Sequence, residues 1–173
     1  MSIHCLEPFI TLYDIFPLFR IDLTIRIVYH PRTKKMSRSG AMVFSSKTTS
    51  YVFNQRITIY NTKSVPITGL KILDQIPVSD NSKISVNLTN PPLILPQPNK
   101  KTGLYSVPQG VVVGSQAVAQ WKGADESDVD PSLLGKDGEV SWVCNIPAQG
   151  TLNLLLSWEV VYPHDSHVVG LDM

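Results

Sequence analysis

The stretch TLNLLLSWEVVYP, Thr151 to Pro163, makes every second residue apolar: Leu152, Leu154, Leu156, Trp158, Val160 and Tyr162. An extended chain with one covered face suits this pattern, because side chains alternate across a strand, whereas a helix would scatter the same residues around its axis. The period recurs upstream. EVSWVCNIP places Val140, Trp142, Cys144 and Ile146 opposite Glu139, Ser141, Val143 and Asn145. TSYVFNQRITIYN separates Tyr51, Phe53, Gln55, Ile57 and Ile59 from Val52, Asn54, Arg56, Thr58 and Tyr60. RIDLTIRIVYH gives an apolar face of Ile21, Leu23, Ile25, Ile27 and Tyr29. ITGLKILDQIP sets Leu70 and Ile72 against Lys71, and ISVNLTN sets Ile84, Val86 and Leu88 against Ser85, Asn87 and Thr89. AMVFSS and GSQAVAQWKG are weaker strand candidates.

No stretch sustains a helical period. About eight short strands separated by Gly, Pro, Asn and Asp predict an all-β chain, an antiparallel sandwich or barrel, with the strand number typical of a sandwich. Trp142 and Trp158, on the apolar faces of consecutive strands, are expected in the core.

The breaks carry their own information. In NTKSVP, Asn61 can bond its own backbone two residues on, and Pro66 cannot donate to a ladder. PRTKKMSRSG, Pro31 to Gly40, reads as a basic loop. PPLILPQPNKKTG holds four of the thirteen prolines and begins an extended loop, Asn90 to Gly110, of polyproline character. ADESDVDPSLLGKDG reads as an acidic, hydrophilic insertion.

With 173 residues, one domain is expected. A net charge of +1 gives the whole molecule no strong preference for nucleic acid or anionic membrane. Locally, Arg20, Arg26, Arg32, Lys34, Lys35 and Arg38 cluster in one region, and Asp125, Glu126, Asp128, Asp130, Asp137 and Glu139 in another. These read as two solvated loops of opposite sign; the sharper alternative is that they meet each other or a charged partner. Two distant cysteines, Cys5 and Cys144, make neither a disulfide framework nor a zinc site and suit a reducing compartment, with the cytoplasm as the default. The sequon at Asn87 reads as a chance match. MSIHCLEPFITLYDIFPLFR is broken by Glu7, Pro8, Asp14, Pro17 and Arg20, so neither a membrane span nor a signal peptide is expected there.

Candidate sites are few. Asp74, near the end of a strand, could serve as a general acid or base with a partner in reach, but the nearest acid in sequence is Asp80 in another turn. Asp74 therefore reads as punctuation, with Pro77 stopping the ladder. YPHDSHVV offers His164, Asp165 and His167, with His-x-x-His a possible metal-binding pair, but nothing else in the chain adds further ligands at recognisable spacing, so a solvated tail is the plainer reading. The acidic stretch 125–139 has the acid density of a calcium loop, but Pro131 intrudes and the glycine an EF-hand requires is missing. There is no Gly-x-Ser-x-Gly elbow and no phosphate-binding glycine loop. No catalytic, cofactor-binding or metal-binding residue is assigned, no cofactor is implied, and no enzymatic activity is expected.

FNQRITIYNTKSVPI followed by LKILDQIPVS, then DGEVSWVCNIPAQGTLNLLLSWEVVYP and a final VVGL, resembles the C-terminal β-domain of the mucoidy-inhibitor-like proteins. The resemblance runs from about Asp22 to the C-terminus, and YHPRTKKMSRSG is similar to the fungal members. It implies an immunoglobulin-like β-sandwich of unknown function and gives no catalytic residues. In that family the domain follows another β-domain and a long helical region, so a truncated or degenerate copy is expected. Residues 1–20 would be an atypical segment and residues 21–173 the single domain. The expected role is protein interaction or assembly, through edge strands or end loops, with an unknown protein partner and self-association among the outcomes. The alternative is a carbohydrate-binding or hydrolase-associated module, which would need Tyr51, Tyr60 and Tyr105 exposed as a platform.

Overall fold

The structure, a computed structural model, describes residues 22–39, 48–166 and 168. Nine strands form among them: β1 (Ile25–Tyr29), β2 (Thr33–Ser39), β3 (Thr48–Asn61), β4 (Ile67–Gln75), β5 (Ser85–Asn90), β6 (Val111–Val113), β7 (Ala117–Trp121), β8 (Glu139–Ile146) and β9 (Thr151–Pro163). Strands β1, β3, β9 and β5 follow one another in the first sheet, with β2 also on β3; β4, β8, β7 and β6 make the second. All pairings are antiparallel. The expected all-β sandwich is what forms.

Both inner faces follow the alternation. Phe53, Ile57 and Ile59 of β3 and Leu152, Leu154, Leu156, Trp158, Val160 and Tyr162 of β9 are buried against Ile72, Ala117, Ala119, Trp121, Val140, Trp142, Cys144 and Ile146 of the second sheet. Cys144 behaves as a small apolar residue, its thiol pushed up to about 11 by burial. Asn61 closes one end. Its Oδ1 accepts from Lys63 N at 2.9 Å, the expected local turn bond, while its Nδ2 donates to Val65 O at 3.0 Å and Pro147 O at 2.8 Å. That one amide ties the β3–β4 turn to the β8–β9 turn.

Three expectations change. Thr33–Ser39 is an edge strand on β3, not part of a loop. Strands β1 and β2 lie end to end along one side of β3, and the pairing sum changes from Ile25↔Asn61 to Thr33↔Asn54 by one residue, so the junction around Pro31 is a bulge. The missing N–H of Pro31 is tolerated because the strand is at an edge. Second, Ile27 and Tyr29 lie opposite Ile59 and Ile57 and share their core side, yet remain 42% and 46% exposed; Leu23 lies in a turn and is 87% exposed. Alternation sets direction, but only a covering element sets burial. Third, the short β6 was not read from sequence. The AMVFSS candidate lies outside the described residues.

The sheets differ in length. Strand β3 has 14 residues and β4 has 9, lengths of about 45 Å and about 30 Å at strand rise. The second sheet therefore cannot cover all of the first. Along β3 and β9 aromatic rings line up: Tyr162 stacks on Tyr51 at 6.2 Å, Tyr51 meets Phe53 at 6.3 Å, and Phe53 stacks on Trp158 at 5.4 Å. Cations from the basic edge lie over this row, with Lys34 Nζ 4.3 Å from the Tyr51 ring centroid and the Arg32 guanidinium 5.1 Å from that of Trp158.

Candidate interaction surface

The proline-rich loop leaves β5 through a cis Asn90–Pro91 bond and crosses to the second sheet, where Trp121 Nε1 donates to Ile94 O at 3.0 Å. Its tip is more ordered than a polyproline segment. Pro98 and Tyr105 form a bridge, Asn99 N donates to Leu104 O at 2.9 Å, and Gly103 N donates to Asn99 O at 2.8 Å. Gly103 takes φ +69°, which closes this small hairpin. Several apolar residues of the loop face water: Ile94 is 73% exposed, Leu104 71%, and Val112 of the adjoining β6 also 71%. A cleft of about 300 Å³ opens among them, lined by Pro92, Ile94, Leu95, Pro96, Ser106 and Pro108.

Asp74 stands next to last in β4, at the strand end where it was expected, but its position there is not only punctuation. It lies within β4, opposite fully buried Val140, and so points into the space between the sheets. Oδ1 accepts from Gln75 N at 2.9 Å, while Oδ2 is buried without a hydrogen-bond partner. Burial pushes its pKa up to about 6, against the lowering influence of the Gln75 amide and the Arg32 charge. Tyr29, raised to about 12 by burial and then by the Asp74 charge, faces the same mouth from β1. The signal was available: Asp74 shares the parity of Leu70 and Ile72 in LKILDQ, the apolar face. Its neighbours Tyr29 and Arg32 were not legible, because they come from the opposite sheet. Asp80 is exposed in the turn before β5, so no carboxylate pair is assembled from these two.

The acidic stretch works locally. Asp125 pairs with Lys71, and Glu139 pairs with Lys122 at 2.6 Å. Asp130 Oδ1 accepts from Ser132 N at 2.9 Å and caps a 3-10 turn at Pro131–Leu133; Asp137 Oδ1 accepts from Glu139 N at 3.0 Å. Among the described residues no three His, Cys, Asp or Glu side chains gather as a metal site. His164 Nδ1 meets Thr49 Oγ1 at 3.0 Å, Asp165 lies in the turn after β9, and His167 is outside the described residues. Tyr51 and Tyr60 stand on opposite faces of β3 because they are an odd number of residues apart. Tyr105 is 42% exposed on the separate loop.

The fold and these surfaces define a two-sheet antiparallel β-sandwich domain whose described residues include no helix long and apolar enough to cross a membrane. Residues 21–164 match the family described as Domain of unknown function (DUF4139), and the chain belongs to that family. No significant match was found among curated proteins or among solved structures.

Proposed function

We propose that this β-sandwich is a non-enzymatic interaction domain that binds a protein partner through the loop Asn90–Gly110, with the basic edge strand β2 as a second contact. The observation that carries the reading is the group of large apolar side chains left in water on that loop and on β6: Ile94, Leu95, Leu104, Tyr105, Val107 and Val112. A domain with a filled core gains nothing from leaving such residues exposed unless another surface covers them. Proline also limits the entropy lost when the loop is held by a partner.

The finer family reading, the C-terminal β-domain of a fungal mucoidy-inhibitor-like protein, is supported by the NTKSVP and LDQIPVS blocks and the Trp-bearing terminal strands. The free, buried thiol of Cys144 fits a reducing compartment such as the cytoplasm.

The test is capture of partners from source-cell extract by the full chain and two variants. One replaces Leu104, Tyr105 and Val107 by serine; the other is Lys35→Glu. The loop variant is expected to lose the partner and the β2 variant to weaken it. Retention of every partner by both variants refutes the surface assignment. Saturable turnover of an ester, glycoside or phosphate substrate, abolished by Asp74→Asn, would overturn the non-enzymatic reading.

A further inference from the structure

The two sheets part along one side of the sandwich. Strand β5 pairs with β9 and, among the described residues, with no other strand. Between it and the second sheet opens a cleft of about 430 Å³. Ile84, Val86 and Leu88 come to it from β5 and the residue before it, Ile76 from the segment after β4, Leu93 from the proline-rich loop and Trp121 from the end of β7. A cleft of this size, with mostly apolar walls drawn from several elements, suits a small molecule better than a protein face. Its walls are held in place without a ligand. Trp121 Nε1 donates to Ile94 O at 3.0 Å, and Ile76 N donates to Gly138 O at 3.0 Å. Gly135, at φ +77°, lets the turn before β8 lie against the Trp121 ring, which a Cβ there would meet at 2.9 Å.

The polar side chains at the cleft favour an anion. Ser79, Asn87 and Lys136 line it, all three can donate a hydrogen bond, and no carboxylate is among the lining residues. Lys136 is exposed, so its stem covers apolar wall while its ammonium stays in water at the mouth. That ammonium is uncommitted. Lys71 pairs with Asp125 and Lys122 with Glu139, but Lys136 forms no ion pair among the described residues. The acids near it in sequence are engaged elsewhere. Asp137 accepts from Glu139 N, and Asp130 is held below the usual carboxylate range by the Ser132 amide and hydroxyl first and by the Lys136 charge last.

We propose that this cleft binds a small amphipathic monoanion, a carboxylate on an apolar chain, with the chain between β5 and Trp121 and the carboxylate at the mouth facing Lys136. A neutral apolar ligand would fill the same volume but leave the ammonium without a counter-charge, and a cationic one would be repelled by it. The site goes beyond the proposed partner surface and is built from different residues, with Leu95 alone bordering both clefts.

Calorimetric titration of the full chain with hexanoate, octanoate and decanoate tests this, with octanol and octyltrimethylammonium as the neutral and cationic counterparts. Saturable binding of the carboxylates is expected, tightening about fourfold for each added methylene, and the ammonium is expected to bind least. Lys136→Glu, at an exposed position, should weaken octanoate about fivefold, leave octanol unchanged and strengthen the ammonium. Val86→Trp, which fills the cleft from a half-buried strand position, should abolish binding of all the ligands, with the urea unfolding midpoint showing that the chain still folds. The serine variant of Leu104, Tyr105 and Val107 should bind octanoate as the wild type does, which separates this site from the partner surface. No saturable binding of any carboxylate, equal affinity for octanoate and the ammonium, octanoate binding unchanged in Lys136→Glu or retained in a folded Val86→Trp chain, or its loss in the loop variant overturns the proposal.

Discussion

Replacing Asp74 by asparagine should stabilise the domain at neutral pH, and the gain should fade on acidification. The folded carboxyl titrates near about 6, while the unfolded chain releases the same proton at the ordinary aspartate value of 3.8. Below the unfolded value both states are protonated and the group contributes no difference. As pH rises from there to about 6, the unfolded chain ionises first, so the folded state progressively loses relative stability, and the loss persists above. A shift of about two pKa units corresponds to a ceiling of ~3 kcal/mol. The asparagine retains the Oδ1 that accepts from Gln75 N and removes the charge; its new N–H₂ has no better partner than Oδ2 had, which offsets part of the gain. The difference between variant and wild type cancels the opposite-sign contribution of carboxyls such as Asp22 and Asp125, whose pKa values are lowered by Lys63 and Lys71. Urea unfolding followed by tryptophan fluorescence, at several pH values from about 4.5 to about 7.5, gives that difference directly. It should grow by about 2 kcal/mol toward neutral pH. A constant difference, or one that shrinks as pH rises, would refute the placement of Asp74 between the sheets.

Three further outcomes follow from the packing. Asn61→Ala should cost about 2–4 kcal/mol in urea unfolding, because it removes the bonds to Val65 O and Pro147 O and leaves both carbonyls in need of new partners; a loss below about 0.5 kcal/mol would show that water replaces the amide. Gly138→Ala should lower the thermal midpoint markedly, since Gly138 sits at φ +74° and a Cβ there would lie 2.4 Å from Ile76 O; an unchanged midpoint would contradict that approach. In a Cys5→Ser chain, Cys144 should resist a thiol reagent under native conditions and react at the rate of unfolding, since the thiol is buried and raised to about 11; rapid native labelling would contradict its position on β8.

Alternation by itself determined most of the strands, their inward faces and the class of fold. Leu152, Leu154, Leu156, Trp158, Val160 and Tyr162 all face the core as their spacing requires, and Trp142 is buried with them. The turn bond from Asn61 to Lys63 was legible for the same reason, since it depends on two neighbouring residues. What depends on a second element was not legible. Ile27 and Tyr29 point inward yet stay half in water because β1 is an edge that the shorter second sheet does not cover. Lys34 and Lys35 fall in a stretch that reads as a loop, but pairing with β3 makes it a strand, because long-range hydrogen bonds override a weak local preference. Asp74 shows the division most clearly: its parity is written in LKILDQ, whereas its raised pKa comes from the facing sheet that removes water from it. Local spacing fixes which way a side chain points; only the partner element across the sandwich decides whether it meets oil, charge or water.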